Sequence, residues 1–256
     1  MGKKRQKRFW EIDCLRGLAV SAMVVSHILL NLEFFDIYEI DIQSKLWFFS
    51  VRPITIIFIL LVGISLALSF SRTKQMKKTT KGLWKKYFKR GIRLFVWGLI
   101  ITLITRIAVR ENFIAFGILH LFGISIILAY PFLKFRQRNL ILGLILILIG
   151  TFLRQMEFDF PWLLWLGFPF KNFQSIDYFP LLPWFGFVLI GLFLGNQFYA
   201  NYQRQFKLKN LSNSSLVKSF CFLGRYSLFI YFVHQPILIG MLIVLGFLDW
   251  NFFFYQ

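Results

Sequence analysis

Arg16 and His27 bracket ten residues of an otherwise apolar run, LRGLAVSAMVVSH. Arginine stays charged and recognises phosphate oxygens through paired donors. Imidazole, with an ordinary pKa of about 6.5, accepts a proton at neutral pH, as a general base must. One segment thus carries an anion contact at its start and a proton acceptor eleven steps on.

The chain has three histidines, and each falls in an apolar stretch: His27, His120 and His234. An ionisable group inside a bilayer costs roughly 2.5 kcal/mol or more, so each is a candidate for catalysis. The plainer role open to each is a hydrogen bond that glues helices together. At a helical rise of ~1.5 Å per residue, His27 stands roughly 16 Å above Arg16 and His234 roughly 13 Å above Arg225. By the same count His120 lies roughly 20 Å above the inner face of a bilayer core ~30 Å thick, so all three share its middle third. Ser26 and Asn31 accompany His27, while Gly17, Ala19, Ser21 and Ala22 let other helices come close. This combination suits a wet cavity in which Asn31 contacts a substrate.

On the inner side Arg16, Arg90, Arg93 and Arg225 sit at the ends of apolar stretches, where a ring of guanidinium groups fits a polyanionic cofactor. For Arg16 a second reading stays open: Asp13 caps the helix and pairs with it, while the stem snorkels to the headgroups. On the outer side, Arg52-Pro53 and Asp177-Tyr178-Phe179-Pro180 stand where segments enter the membrane. Arg52 and Asp177 are expected there either to pair or to hold a polar substrate. Trp162, Trp165 and Trp184 fit an aromatic belt, and Gly63, Ser65 and Ser69 fit close helix contacts.

What must position these residues is a membrane bundle. The composition is 57% hydrophobic and 20% aromatic, which excludes an ordinary soluble domain. About seven stretches approach the ~20 apolar residues that a spanning helix needs. They run over 15–35, 46–70, 91–109, 113–133, 139–155, 178–199 and 226–248, the fifth being short, and predict an all-α polytopic bundle forming a single domain over 1–256. The run FPWLLWLGFPF, 160–170, is too short and proline-broken to span and reads as interfacial or re-entrant.

The net charge of +19 points to lipid headgroups rather than nucleic acid, because the basic residues alternate between loops. They crowd before the first stretch, from Arg72 to Arg93, at Lys134, Arg136 and Arg138, and from Arg204 to Arg225. The other loops carry nine of the eleven acids. The positive-inside bias then predicts a cytoplasmic N-terminus and an extracytoplasmic C-terminus. No small-residue cleavage site follows the first apolar run, so it reads as a span rather than a leader. Cys14 and Cys221 fall at the cytoplasmic edge, where thiols stay reduced and no disulfide is expected. Residues 201–218, the most polar stretch, read as a flexible inner loop. The aromatic tail WNFFFYQ suits either an outer interface or a homodimer contact.

Four segments, RFWEIDCLRGLAVSAMVVSH, FGILHLFGIS, DYFPLLPWFGFVLIGLFLG and LGRYSLFIYFVHQPILI, together resemble prokaryotic relatives of the heparan-alpha-glucosaminide N-acetyltransferase catalytic domain. The first helix is also similar to that of the acyltransferase type 3 family, with Arg or Lys, ten residues, then His. The resemblance implies a multi-pass protein of a prokaryotic cell (inner) membrane. It implies acetyl-CoA or another acyl-CoA as cytoplasmic donor, no metal, and an extracytoplasmic sugar, glycan or lipid-linked glycan as acceptor. On it, Arg16 contacts CoA and His27 is the catalytic histidine, as general base or acyl carrier. Animal lysosomal members place their histidine in the loop after the first helix, and residues 36–45 here contain none. An extended phosphopantetheine arm measures on the order of 15 to 20 Å, which matches the Arg16 to His27 separation. The competing readings are a proton-coupled solute transporter, whose histidines relay protons, and a structural membrane protein, whose histidines only bind helices together.

Overall fold

The computed structural model describes residues 8–39, 41, 45–77, 82–109 and 112–248, with the backbone alone for 45–50 and 77. Lys3 to Lys7, Arg110 and the aromatic tail lie outside the described residues. Among the described residues eight α-helices follow one another: α1 Trp10–Phe34, α2 Lys45–Lys77, α3 Leu83–Val109, α4 Ile118–Leu128, α5 Gln137–Leu153, α6 Leu181–Phe198, α7 Ser215–Arg225 and α8 Ser227–Val244. No strand occurs among the described residues; two isolated bridges, Phe116 to Tyr178 and Phe158 to Phe170, tie loops together. Five helices, α1, α2, α3, α6 and α8, are long and apolar enough to cross a membrane, and α4 and α5 are shorter apolar helices.

These seven coincide with the seven apolar stretches of the sequence, with shifted ends. Helix α1 begins at Trp10, five residues before the expected start, so Asp13 lies inside its first turn rather than capping it. Its acidic residues Glu11 and Asp13 there complement the positive end of the helix. Helices α2 and α3 extend past their apolar cores into the basic segment, where Lys86 Nζ donates to Thr73 Oγ1 at 3.1 Å. Residues 215–218, expected as part of a loop, open α7. Val217, Phe220, Cys221 and Gly224 recur at helical spacing there, and Cys221 and Gly224 are buried.

Two compact units divide the chain. The first holds α1, the start of α2 up to Phe58, α7 and α8. Helix α7 packs tightly on α1, because Gly17 meets the Phe220 carbonyl and Gly224 meets the Asp13 carbonyl with no room for a Cβ. Cys221 Sγ donates to the Trp10 carbonyl at 3.2 Å in the same contact.

The second unit holds α2 from Ile59, with α3, α4, α5 and α6. Its core is Ile59, Leu66, Leu121, Ile126, Val188, Leu189 and Leu192, all essentially without exposed surface. Glycines again set the spacing: Gly63 meets Gly191 between α2 and α6, Gly91 meets Gly123 between α3 and α4, and Gly143 meets Gly186 between α5 and α6. Such small-residue seams let backbones approach where no water drives apolar helices together. The opposite faces are apolar and bare, as Ile107 and Leu148 at 70% exposure illustrate, which suits contact with lipid. Residues 154–180 form an irregular segment with one short turn at Leu164–Leu166, and Tyr178 Oη donates to the Leu164 carbonyl at 2.7 Å.

Candidate active site

Because α1 is unbroken, Arg16 and His27 are eleven helical steps apart, roughly 16 Å along its axis. His27 Nδ1 lies 2.8 Å from the Met23 carbonyl one turn earlier. A carbonyl only accepts, so Nδ1 carries the proton and Nε2 of the neutral ring keeps its lone pair. His234 repeats the arrangement on α8: its Nδ1 is 2.7 Å from the Tyr231 carbonyl, and its Nε2 is buried with no hydrogen-bond partner among the described residues. The two rings meet nearly at right angles, with centroids 4.8 Å apart and an interplanar angle of 84°. Two helices of the first unit thus bring two imidazoles together, each with its basic nitrogen unspent on its own backbone.

Asn31, one turn beyond His27, and Gln235, next to His234, join the same two helices. Asn31 Nδ2 donates to Gln235 Oε1 at 2.9 Å, and Gln235 Nε2 donates back to Asn31 Oδ1 at 3.4 Å. Asn31 is a candidate from sequence alone; Gln235 comes from the structure. Its signal was available: a lone amide in an apolar span, between a histidine and Pro236. Ser21 and Ser26 donate into their own helix, to the Gly17 and Ala22 carbonyls, both at 2.9 Å.

At the inner end of α1, Asp13 is 5% exposed and draws three guanidinium groups around it. Arg16 Nη1 lies 3.4 Å from Asp13 Oδ1, and Arg225 Nε and Arg8 Nε lie 3.6 and 3.9 Å from Oδ2. One carboxylate among three cations leaves a local excess of positive charge, with Arg8 and Arg225 more than half exposed. The expected Arg16 to Asp13 pair is therefore present within a larger cluster, and Arg225 joins Arg16 there. Arg90 and Arg93 belong to the second unit, exposed along α3 after the buried Tyr87. Arg52 is exposed on α2 immediately before Pro53.

His120 and Asp177 sit together in the second unit at the start of α4. The Gly117 N–H donates to His120 Nδ1 at 3.2 Å, which leaves the proton of the neutral ring on Nε2. The ring is 2% exposed, stacked on Phe116 at 5.3 Å and edge-on to Phe95 at 5.2 Å. Gly98 of α3 leaves it this space, since a Cβ there would come within 3.0 Å of the ring. Asp177 Oδ2 accepts from the Ile118 N–H at 3.2 Å, placing a carboxylate at the positive end of α4. Burial pushes the Asp177 carboxyl up to about 6, and the Ile118 N–H offsets part of that rise. Both side chains are thus engaged in starting a helix. Among the described residues no three His, Cys, Asp or Glu side chains gather to hold a metal ion.

Residues 8–236 match the family model described as heparan-alpha-glucosaminide N-acetyltransferase, catalytic. No curated protein and no solved structure matches the chain.

Proposed function

Since the chain belongs to the heparan-alpha-glucosaminide N-acetyltransferase catalytic family, whose members are transmembrane acetyltransferases, we propose that it moves an acetyl group from cytoplasmic acetyl-CoA to a hydroxyl or amine of an extracytoplasmic sugar, glycan or lipid-linked glycan. The observation that carries the reading is the His27–His234 pair, a half-buried and a buried imidazole each with Nε2 left basic, the first on a helix that begins in an arginine cluster.

In this reading Arg16 and Arg225, held by Asp13, take the phosphates of the donor. The thioester lies at the end of the pantetheine arm, an arm as long as the Arg16 to His27 separation. His27 Nε2 accepts the proton of the acceptor O–H or N–H as that atom attacks the thioester carbonyl. The C–S bond breaks, and the imidazolium returns the proton to the departing thiolate, so the histidine ends as it began. His234 lies against the ring that becomes cationic and can share its proton, while Asn31 contacts the acceptor and Arg52 attracts it. His120 and Asp177 serve the fold of α4. The site belongs to one integral-membrane domain in a prokaryotic inner membrane, N-terminus in the cytoplasm.

The test is thermal stability of the detergent-purified protein with acetyl-CoA, followed by acetyl transfer to a panel of amino sugars and sugars. A ligand at a hundredfold excess over Kd stabilises the folded state by about 2.7 kcal/mol. A clear upward shift is expected, lost in Arg16→Ala. His27→Ala should keep the shift while its kcat falls on the order of 10²- to 10⁴-fold. Full transfer by a well-folded His27→Ala protein would exclude the base assignment. Absence of any shift with acetyl- or longer acyl-CoA, together with proton-coupled solute uptake, would favour a transporter.

A further inference from the structure

The amide bridge between α1 and α8 occupies a mechanically weak point. Pro236 lies inside α8 and has no N–H to donate into the preceding turn, so the helix loses one of its own rungs just past His234. Gln235 stands between the two. Its side chain leaves α8 and makes two reciprocal hydrogen bonds with Asn31, whose residue is 7% exposed. His27 lies one turn below Asn31 on α1, so the bridge and the ring contact at 4.8 Å form two consecutive steps of one ladder. Ring packing alone tolerates sliding and rotation. Paired amides do not, because each bond is directional and each amide serves as donor and acceptor at once.

We propose that Gln235 is a positioning residue: through its paired amide bonds with Asn31 it holds the proline-weakened turn of α8 in register, keeping His234 against His27. This rests on the acetyltransferase reading only for its catalytic consequence. The geometric consequence stands apart from it.

The experiment compares wild type, Gln235→Met, which keeps side-chain length and removes the amide, and the exchange Asn31→Gln with Gln235→Asn, which keeps the summed reach of the pair. Each purified protein is treated with diethyl pyrocarbonate, and the modification rate of each histidine is read by peptide mass spectrometry. The chain has only three histidines, and His120, in the other unit, is the internal reference. Gln235→Met is expected to raise the His234 rate at least fivefold with His120 unchanged, and the exchange to restore it. In acetyl transfer Gln235→Met lowers kcat about tenfold or more at an unchanged KM for acetyl-CoA; the exchange, which alters Asn31, is read by the modification rates alone. An unchanged His234 rate overturns the proposal. So does a parallel rise at His234 and His120, which would mark general loosening, and so does unchanged kcat in an active enzyme. A wild type inactive toward acyl-CoA would instead sink the acetyltransferase reading while the modification rates still decided the role of Gln235.

Discussion

His27 and His120 both sit within apolar helices, yet their hydrogen bonds put the proton on opposite nitrogens. The Met23 carbonyl keeps it on Nδ1 of His27, and the Gly117 N–H drives it to Nε2 of His120. Only the first arrangement leaves a basic nitrogen free of the fold's own needs. Asp177 is tied to the same helix start, and its raised pKa makes that end of α4 sensitive to pH. An unfolded Asp titrates at about 3.9; in the folded chain the value is about 6. The folded protein therefore holds a proton that the unfolded chain has released, so the contribution to stability is complete below the lower value and lost as pH rises through the higher one. The midpoint of thermal unfolding should fall between about pH 4 and pH 7 by more in wild type than in Asp177→Asn. Equal slopes would show that another group is responsible. The sequence put His27, His120 and His234 at a common depth; that His27 and His234 are the two that meet depends on how α1 packs on α8. The hydrogen bonds of His120 and Asp177 at the start of α4 were not readable, because the Asp177 to Ile118 bond spans 59 residues and no local pattern encodes it.

At the scale of elements, apolar length announced seven helices, while the eighth was masked by polarity. Helix α7 puts only a narrow stripe against α1, and its serines and lysine made the beginning of that segment read as loop. What closes the α1–α7 contact is the absence of side chains at Gly17 and Gly224. Gly224→Ala forces backbone apart and should destabilise by about 1–3 kcal/mol, the range for overpacking a tight core. Gly240→Ala is the matched control, since nothing lies within 4 Å of a Cβ at that position of α8. It should be neutral or gain up to about 1 kcal/mol of helix propensity. Thermal unfolding in one detergent checks both, and equal effects would show that close approach is not what Gly224 provides.

For the whole molecule, the alternation of basic and acidic loops and the seven apolar helices make one topological statement. If all seven apolar helices cross, the odd number puts the termini on opposite faces. Reporter fusions should find the N-terminus and the 203–214 segment in the cytoplasm and the C-terminus outside. Two termini on the same face would mean that α4 or α5, the shorter apolar helices, does not cross. Bundle class and helix order were readable because apolar length is a local property. Division into two compact units was not, since it depends on which distant helices share a glycine seam.

Those seams also decide where this chain is free to change. On the outer faces of α3 and α5, Leu, Ile, Val and Phe are interchangeable, because lipid asks only that a side chain be apolar. At Gly17, Gly91, Gly143 and Gly224 backbone touches backbone, and no larger residue has a place. The fold therefore leaves most of its apolar surface open to substitution and closes these few positions, so its tolerance of change is set by the smallest residues rather than by the hydrophobic bulk that surrounds them.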